Sequence, residues 1–191
     1  MGAQVSLQYI QKLFSIISHP STSDEQRVTA TLCIGEIGIF KDLSGMKDII
    51  ATIQSLFQNQ NDQVRSAAAI ALGGISIGNT EYFLDKVFRL IESSSTQQKY
   101  MFLSTIKEII VNKPECLKNY ITTLMTLYLA QSNSEDESIR NIVAESIGKL
   151  FITHPEAIKE PLMQALGAEN SRTVSTYARS FKFSAHNNTA P

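Results

Sequence analysis

The chain has 191 residues and a formal net charge of −1 at pH 7, from 17 basic and 18 acidic side chains. This balance lacks the basic excess of proteins that bind nucleic acids or anionic membranes through charge. Hydrophobic residues make up 43%, and no apolar run approaches the roughly 18 residues of a membrane span, so we expect a folded cytoplasmic or nuclear protein.

The first predicted element is a single helix over residues 4–18, which begins beside a lipidation pattern. Gly2 and Ser6 fit the loose template for N-myristoylation. The segment continues directly into apolar residues at helical spacing, and no polybasic patch follows to reinforce a single acyl chain. We therefore predict no membrane partner and keep lipidation of Gly2 as the lesser alternative.

Four segments downstream share one register. Small or apolar residues follow a basic residue at positions 3, 7 and 10, which is one face of a helix. A glycine stands at position 8 in three of the four segments. The basic residues are Arg27, Arg65, Lys99 and Arg140. Three positions before each lies an acidic residue or, before Lys99, a threonine that can serve as an N-cap. The register predicts four helices, which we call A helices.

A second helix, called B, is predicted after each A helix. In three segments a glutamate sixteen positions after the basic residue begins an apolar series at offsets 2, 6 and 10. Pro114 and Pro155 directly precede two of these glutamates and suit a first helical turn. Pro161 is expected to kink or delay the last B helix. The first B helix departs from the series, since it follows a turn at 41–45 and leads through Ile49.

The repeating unit is therefore a helical hairpin with a period of 34 to 41 residues. This period fits HEAT repeats better than tetratricopeptide repeats. We predict an all-α fold, an α-solenoid of HEAT-type antiparallel helix pairs, with a one-off helix bundle as the alternative. Residues 1–191 are predicted to form a single array of about four to five repeats, partial at both ends.

The two ends of the array are unbalanced. Residues 171–185 are predicted as a fifth A helix without a B helix, and residues 186–191 as a disordered tail. Neither end carries an evident polar cap, which solenoids need. We therefore expect the chain to be a segment of a longer solenoid, or to cover its ends by association.

Motifs of catalysis and metal binding are absent from the sequence. The three histidines are far apart, and neither cysteine is close to one. Gly73, Gly74 and Gly78 lie in a predicted helix without a preceding strand or a following Gly-Lys-Ser/Thr, which favours close helix packing over a phosphate loop. Cys33 and Cys116 are expected to be buried free thiols. We predict no enzyme, no cofactor and no metal.

Protein contacts are predicted on the B helices, which line the concave face of HEAT arrays. The candidate contact residues are Lys47, Asp48, Lys86, Arg89, Lys118, Asn119 and Lys159. Plain solubilising charge is the alternative for each. We expect charge reversal at Arg89 and Lys118 together to weaken partner binding.

Several motifs carry a more specific resemblance. They are Gly-Glu-Ile-Gly at 35–38, Asp-Leu-Ser-Gly at 42–45, the Ala- and Gly-rich run at 66–79, Lys-Glu-Ile-Ile at 107–110, and the run at 140–150 that contains Asn-Ile-Val-Ala-Glu. In this order and spacing, residues 20–184 resemble the C-terminal half of the cullin-associated neddylation-dissociated protein family. Generic HEAT proteins share the arginine, alanine and glycine positions but not the Asp-Leu-Ser-Gly turn.

The resemblance implies a non-enzymatic HEAT solenoid whose partner is the cullin of a cullin–RING ubiquitin ligase. Members of that family wrap an unneddylated cullin, compete with substrate-receptor adaptors, and so regulate SCF complex assembly and receptor exchange. They are several times longer, so the resemblance implies at most part of the cullin contact here. The alternatives are a generic HEAT scaffold of the importin or phosphatase-scaffold type and a non-functional fragment of a longer solenoid.

Overall fold

The structure, a computed structural model, describes residues 7–186 and is all-α over that range. The α-helices are α1 (Leu7–Ser18), α2 (Asp24–Phe40), α3 (Ile49–Leu56), α4 (Asp62–Gly78), α5 (Thr80–Ser93), α6 (Thr96–Asn112), α7 (Ile121–Ser132), α8 (Glu137–Thr153), α9 (Pro155–Leu166) and α10 (Ser171–His186). A 3-10 helix at Pro114–Tyr120 precedes α7. The predicted fold class of HEAT-type antiparallel helix pairs is confirmed. The Gly2 pattern and the predicted tail beyond His186, which ends α10, lie outside the described residues.

The predicted register of the A helices is confirmed. Each of α2, α4, α6 and α8 is 17 residues long and begins three positions before its basic residue. Side-chain caps explain where three of them start, because the Ser23, Asn61 and Asp136 side chains each accept a bond from an amide of the first turn. Thr96 is the first residue of α6 and not the residue before it. The Lys99 amide instead bonds to the carbonyl of Ser95.

The last two B helices begin in different ways. Helix α9 begins at Pro155 and runs through Pro161, so that proline does not delay its start, while the kink stays a prediction. The third B helix begins as a 3-10 turn, in which the Cys116 amide bonds to the carbonyl of Lys113. Regular α-helix starts only at Ile121, seven residues after Pro114.

Links within hairpins are short where one residue caps both helices. Asn79 alone separates α4 from α5, and its side-chain oxygen accepts the Tyr82 amide at 3.0 Å. The Asn79 side-chain nitrogen donates to the Asp42 carboxylate at 2.9 Å. His154 alone separates α8 from α9. In these two hairpins a single residue therefore connects the paired helices.

The chain divides into two compact units, residues 1–108 and 109–191, and the division falls inside α6. We call them unit 1 and unit 2. Each holds A helices packed side by side with B helices against them. The prediction of one array over the whole chain stays a prediction.

In unit 1 the A helices α2 and α4 approach through glycines. A Cβ atom on Gly35 would lie 2.6 Å from the Ala71 Cα, and one on Gly38 would lie 2.7 Å from the Ile75 Cα. From the other side, Gly74 lies against the carbonyl of Gly35. Real side chains do not fit at such distances, so the backbones themselves are in contact. The close helix packing predicted for the glycines is confirmed.

In unit 2 the A helices α8 and α10 pack through one glycine, and buried hydroxyl groups join α10 to the end of the B helix α7. A Cβ atom on Gly148 would lie 2.5 Å from the carbonyl oxygen of Ser180. The Ser132 hydroxyl, at the end of α7, donates to the Thr173 hydroxyl at 3.1 Å. The Thr176 hydroxyl donates to the Ser132 carbonyl at 2.9 Å. In unit 2, α10 thus contacts α8 through backbone and α7 through hydrogen bonds.

Candidate protein-binding surface

Three of the four basic residues that mark the repeat, the arginines, bond to backbone carbonyls of the chain. One guanidinium nitrogen of Arg65 donates to the carbonyls of residues 59 and 60, at 2.6 and 3.1 Å. Arg140 makes the same pair of bonds to residues 134 and 135, at 2.6 and 2.9 Å. Arg27 likewise bonds to carbonyls at the end of α1. These arginines fix the links between hairpins, a role that the sequence register does not reveal.

Four of the predicted contact residues lie in unit 1. Lys47 and Asp48 are exposed but precede α3, and Asp48 has a left-handed φ of 61°. Lys86 and Arg89 lie on α5 as predicted. The Lys86 ammonium stands 3.3 Å from the centroid of the Tyr82 ring, while Arg89 is exposed. Lys86 therefore has a cation–π partner inside the protein, and Arg89 is the freer of the two cations.

The other three lie in unit 2. Lys118 and Asn119 are exposed on the 3-10 helix, just before α7, and Lys159 is exposed on α9. Their predicted place on regular B helices is thus wrong for Lys118 and Asn119, as it is for Lys47 and Asp48. These four residues lie outside the α-helices because a turn precedes α3 and a 3-10 helix precedes α7. Each of these B helices therefore begins later in the sequence than predicted.

Unit 2 also has a groove between α7 and α9, which the sequence did not predict. Its volume is about 320 Å³. Thr122, Thr126 and Leu129 line it from α7, and Pro161 lines it from α9, together with the buried Tyr177 of α10. Leu129 is 49% exposed, so apolar surface is open at this place. The exposed apolar and threonine positions of α7 are the sequence signal for this groove, whereas exposed charge is absent from that helix.

The groove and its floor are electrically neutral near pH 7. Burial raises the pKa of Tyr177 to about 12, so its phenol stays protonated. Burial also raises the pKa of Tyr128, which lies on α7. In unit 1, by contrast, hydrogen bonds from the Ser44 amide and side chain and from Asn79 lower the pKa of Asp42. The negative charge of Asp42, in the turn before α3, is thus stabilised by hydrogen bonds from Ser44 and Asn79.

A metal-binding cluster is not found in the described part of the chain. Among residues 7–186, no three His, Cys, Asp or Glu side chains are placed to hold a metal ion. No helix in that range has the length and hydropathy to cross a membrane. Cys33 and Cys116 are free but half-buried, not fully buried as expected. The Cys116 thiol donates to the Lys113 carbonyl at 3.0 Å.

Comparison with known proteins adds evidence from sequence. No family model matches the chain. It is 30% identical over 180 residues to cullin-associated NEDD8-dissociated protein 1 of Arabidopsis thaliana, covering 92% of this chain and 15% of that protein. It is 29% identical over 165 residues to cullin-associated NEDD8-dissociated protein 2 of Mus musculus, covering 86% of this chain and 13% of that protein.

Among solved structures, a designed armadillo repeat protein is similar at 14% identity with a TM-score of 0.45, covering 93% of this chain and 82% of that one.

The chain spans about one seventh of the length of the curated relatives it matches. The resemblance read from the motifs is confirmed by the identity with those relatives. This all-α repeat chain is homologous to a short segment of the cullin-associated NEDD8-dissociated proteins.

Proposed function

We propose that this chain is a non-enzymatic HEAT-repeat scaffold segment that binds a cullin lacking NEDD8. Through that contact it takes part in SCF complex assembly and substrate-receptor exchange in the cytoplasm or nucleus. The observation that carries the proposal is the 30% identity across 92% of the chain to a protein whose name describes association with cullins. Because the chain spans 15% of that relative, it supplies part of the cullin contact.

The exposed polar residues near the B helices are the proposed contact points. Arg89 is exposed on α5 of unit 1, and Lys118 is exposed before α7 of unit 2. Exposed charges contribute mostly to the rate and specificity of association. We expect reversal of both charges to weaken cullin binding about tenfold.

Binding of the full chain to a purified cullin–RING complex tests the proposal. Biolayer interferometry on the complex with and without attached NEDD8 should give binding that is at least about tenfold tighter to the unmodified cullin. Arg89→Glu combined with Lys118→Glu is compared with Lys12→Glu, an exposed reversal on α1. Absent binding, or equal binding to both cullin forms, would contradict the proposed function. Binding that is unchanged in the double variant would contradict only the contact residues.

A further inference from the structure

We draw no further inference here: the strongest candidate, the open apolar groove between α7 and α9 of unit 2, carries none, because nothing in the structure shows what covers it.

Discussion

The two units pack their A helices in different ways from the same repeat register. In unit 1, Gly35 and Gly38 bring the backbone of α2 directly onto that of α4. In unit 2, only Gly148 makes such an approach from α8 toward α10, and the hydroxyls of Ser132, Thr173 and Thr176 form buried hydrogen bonds between α7 and α10. A glycine contact tolerates no added atom, while a hydroxyl network tolerates replacement at the cost of its bonds. Unit 1 is thus the more rigidly specified interface, and unit 2 the more polar one.

Adding one methyl group in unit 1 should have the largest effect. Gly38→Ala places its Cβ 2.7 Å from the Ile75 Cα, which should lower the free energy of unfolding by about 1–3 kcal/mol despite the better helix propensity of alanine. Gly45→Ala is the matched control, because nothing lies within 4 Å of its added atom. Urea denaturation gives the stabilities, and hydrogen exchange should place the lost protection in α2 and α4. Equal stability of the two variants would refute the rigid glycine interface.

Arginine replacement should affect both units alike. Arg65→Lys and Arg140→Lys each exchange a planar guanidinium, bonded to two carbonyls, for a single ammonium. We expect each to cost about 1–2 kcal/mol in urea denaturation. Arg89→Lys, on the exposed face of α5, should be neutral. A loss in only one unit would show that the arginine clamp is not a common feature of the repeat.

Removal of a hydroxyl should affect unit 2 alone. Thr176→Val keeps the side-chain shape but loses the bond to the Ser132 carbonyl, so about 1 kcal/mol of stability should be lost. Thr126→Val, on the exposed side of α7, serves as the control and should change stability by a few tenths of a kcal/mol at most. Hydrogen exchange of α10 amides distinguishes the two. If both variants match the parent, the buried hydroxyls contribute nothing to the packing of unit 2.

The smallest effect is expected from acid titration of the turn in unit 1. The folded pKa of Asp42 is lowered from 3.8, mainly by the Ser44 amide, so the ionised form stabilises the fold above that value. The contribution is lost as pH falls through the lowered pKa. Asp42→Asn should therefore be slightly less stable at pH 7, by a few tenths of a kcal/mol for this exposed group, and the difference should disappear in strong acid. Thermal unfolding across this pH range measures it, and a difference that grows toward low pH would have the wrong sign.

The parts of the fold that the sequence predicted are those set by neighbours along the chain. Starts of A helices follow from side-chain caps such as Asn61 and Asp136, and their faces follow from apolar spacing. The 3-10 start before α7 was not predictable from Pro114, since Pro155 begins a regular α-helix.

The candidate surface was harder to predict, for a physical reason. Exposed charge marks Arg89 and Lys159 on B helices but does not mark α7, which has none. The groove depends on how far apart α7 and α9 stand, and Pro161 and Leu129 reveal nothing of that spacing from sequence alone. Arginine positions were visible for the opposite reason, because a basic residue recurs at this position of each A helix, with Lys99 standing in the third.

The single-residue link at Asn79 has a consequence for engineering. Since Asn79 is the one residue between α4 and α5, and its side chain caps α5 and holds the Asp42 carboxylate, an inserted residue there would separate the cap of α5 from the bond to the preceding turn. The link at 57–61 is different, because it is longer and is held by bonds from Arg65 to the carbonyls of residues 59 and 60. The hairpin is therefore the indivisible module, and grafting or permutation belongs at the links between hairpins.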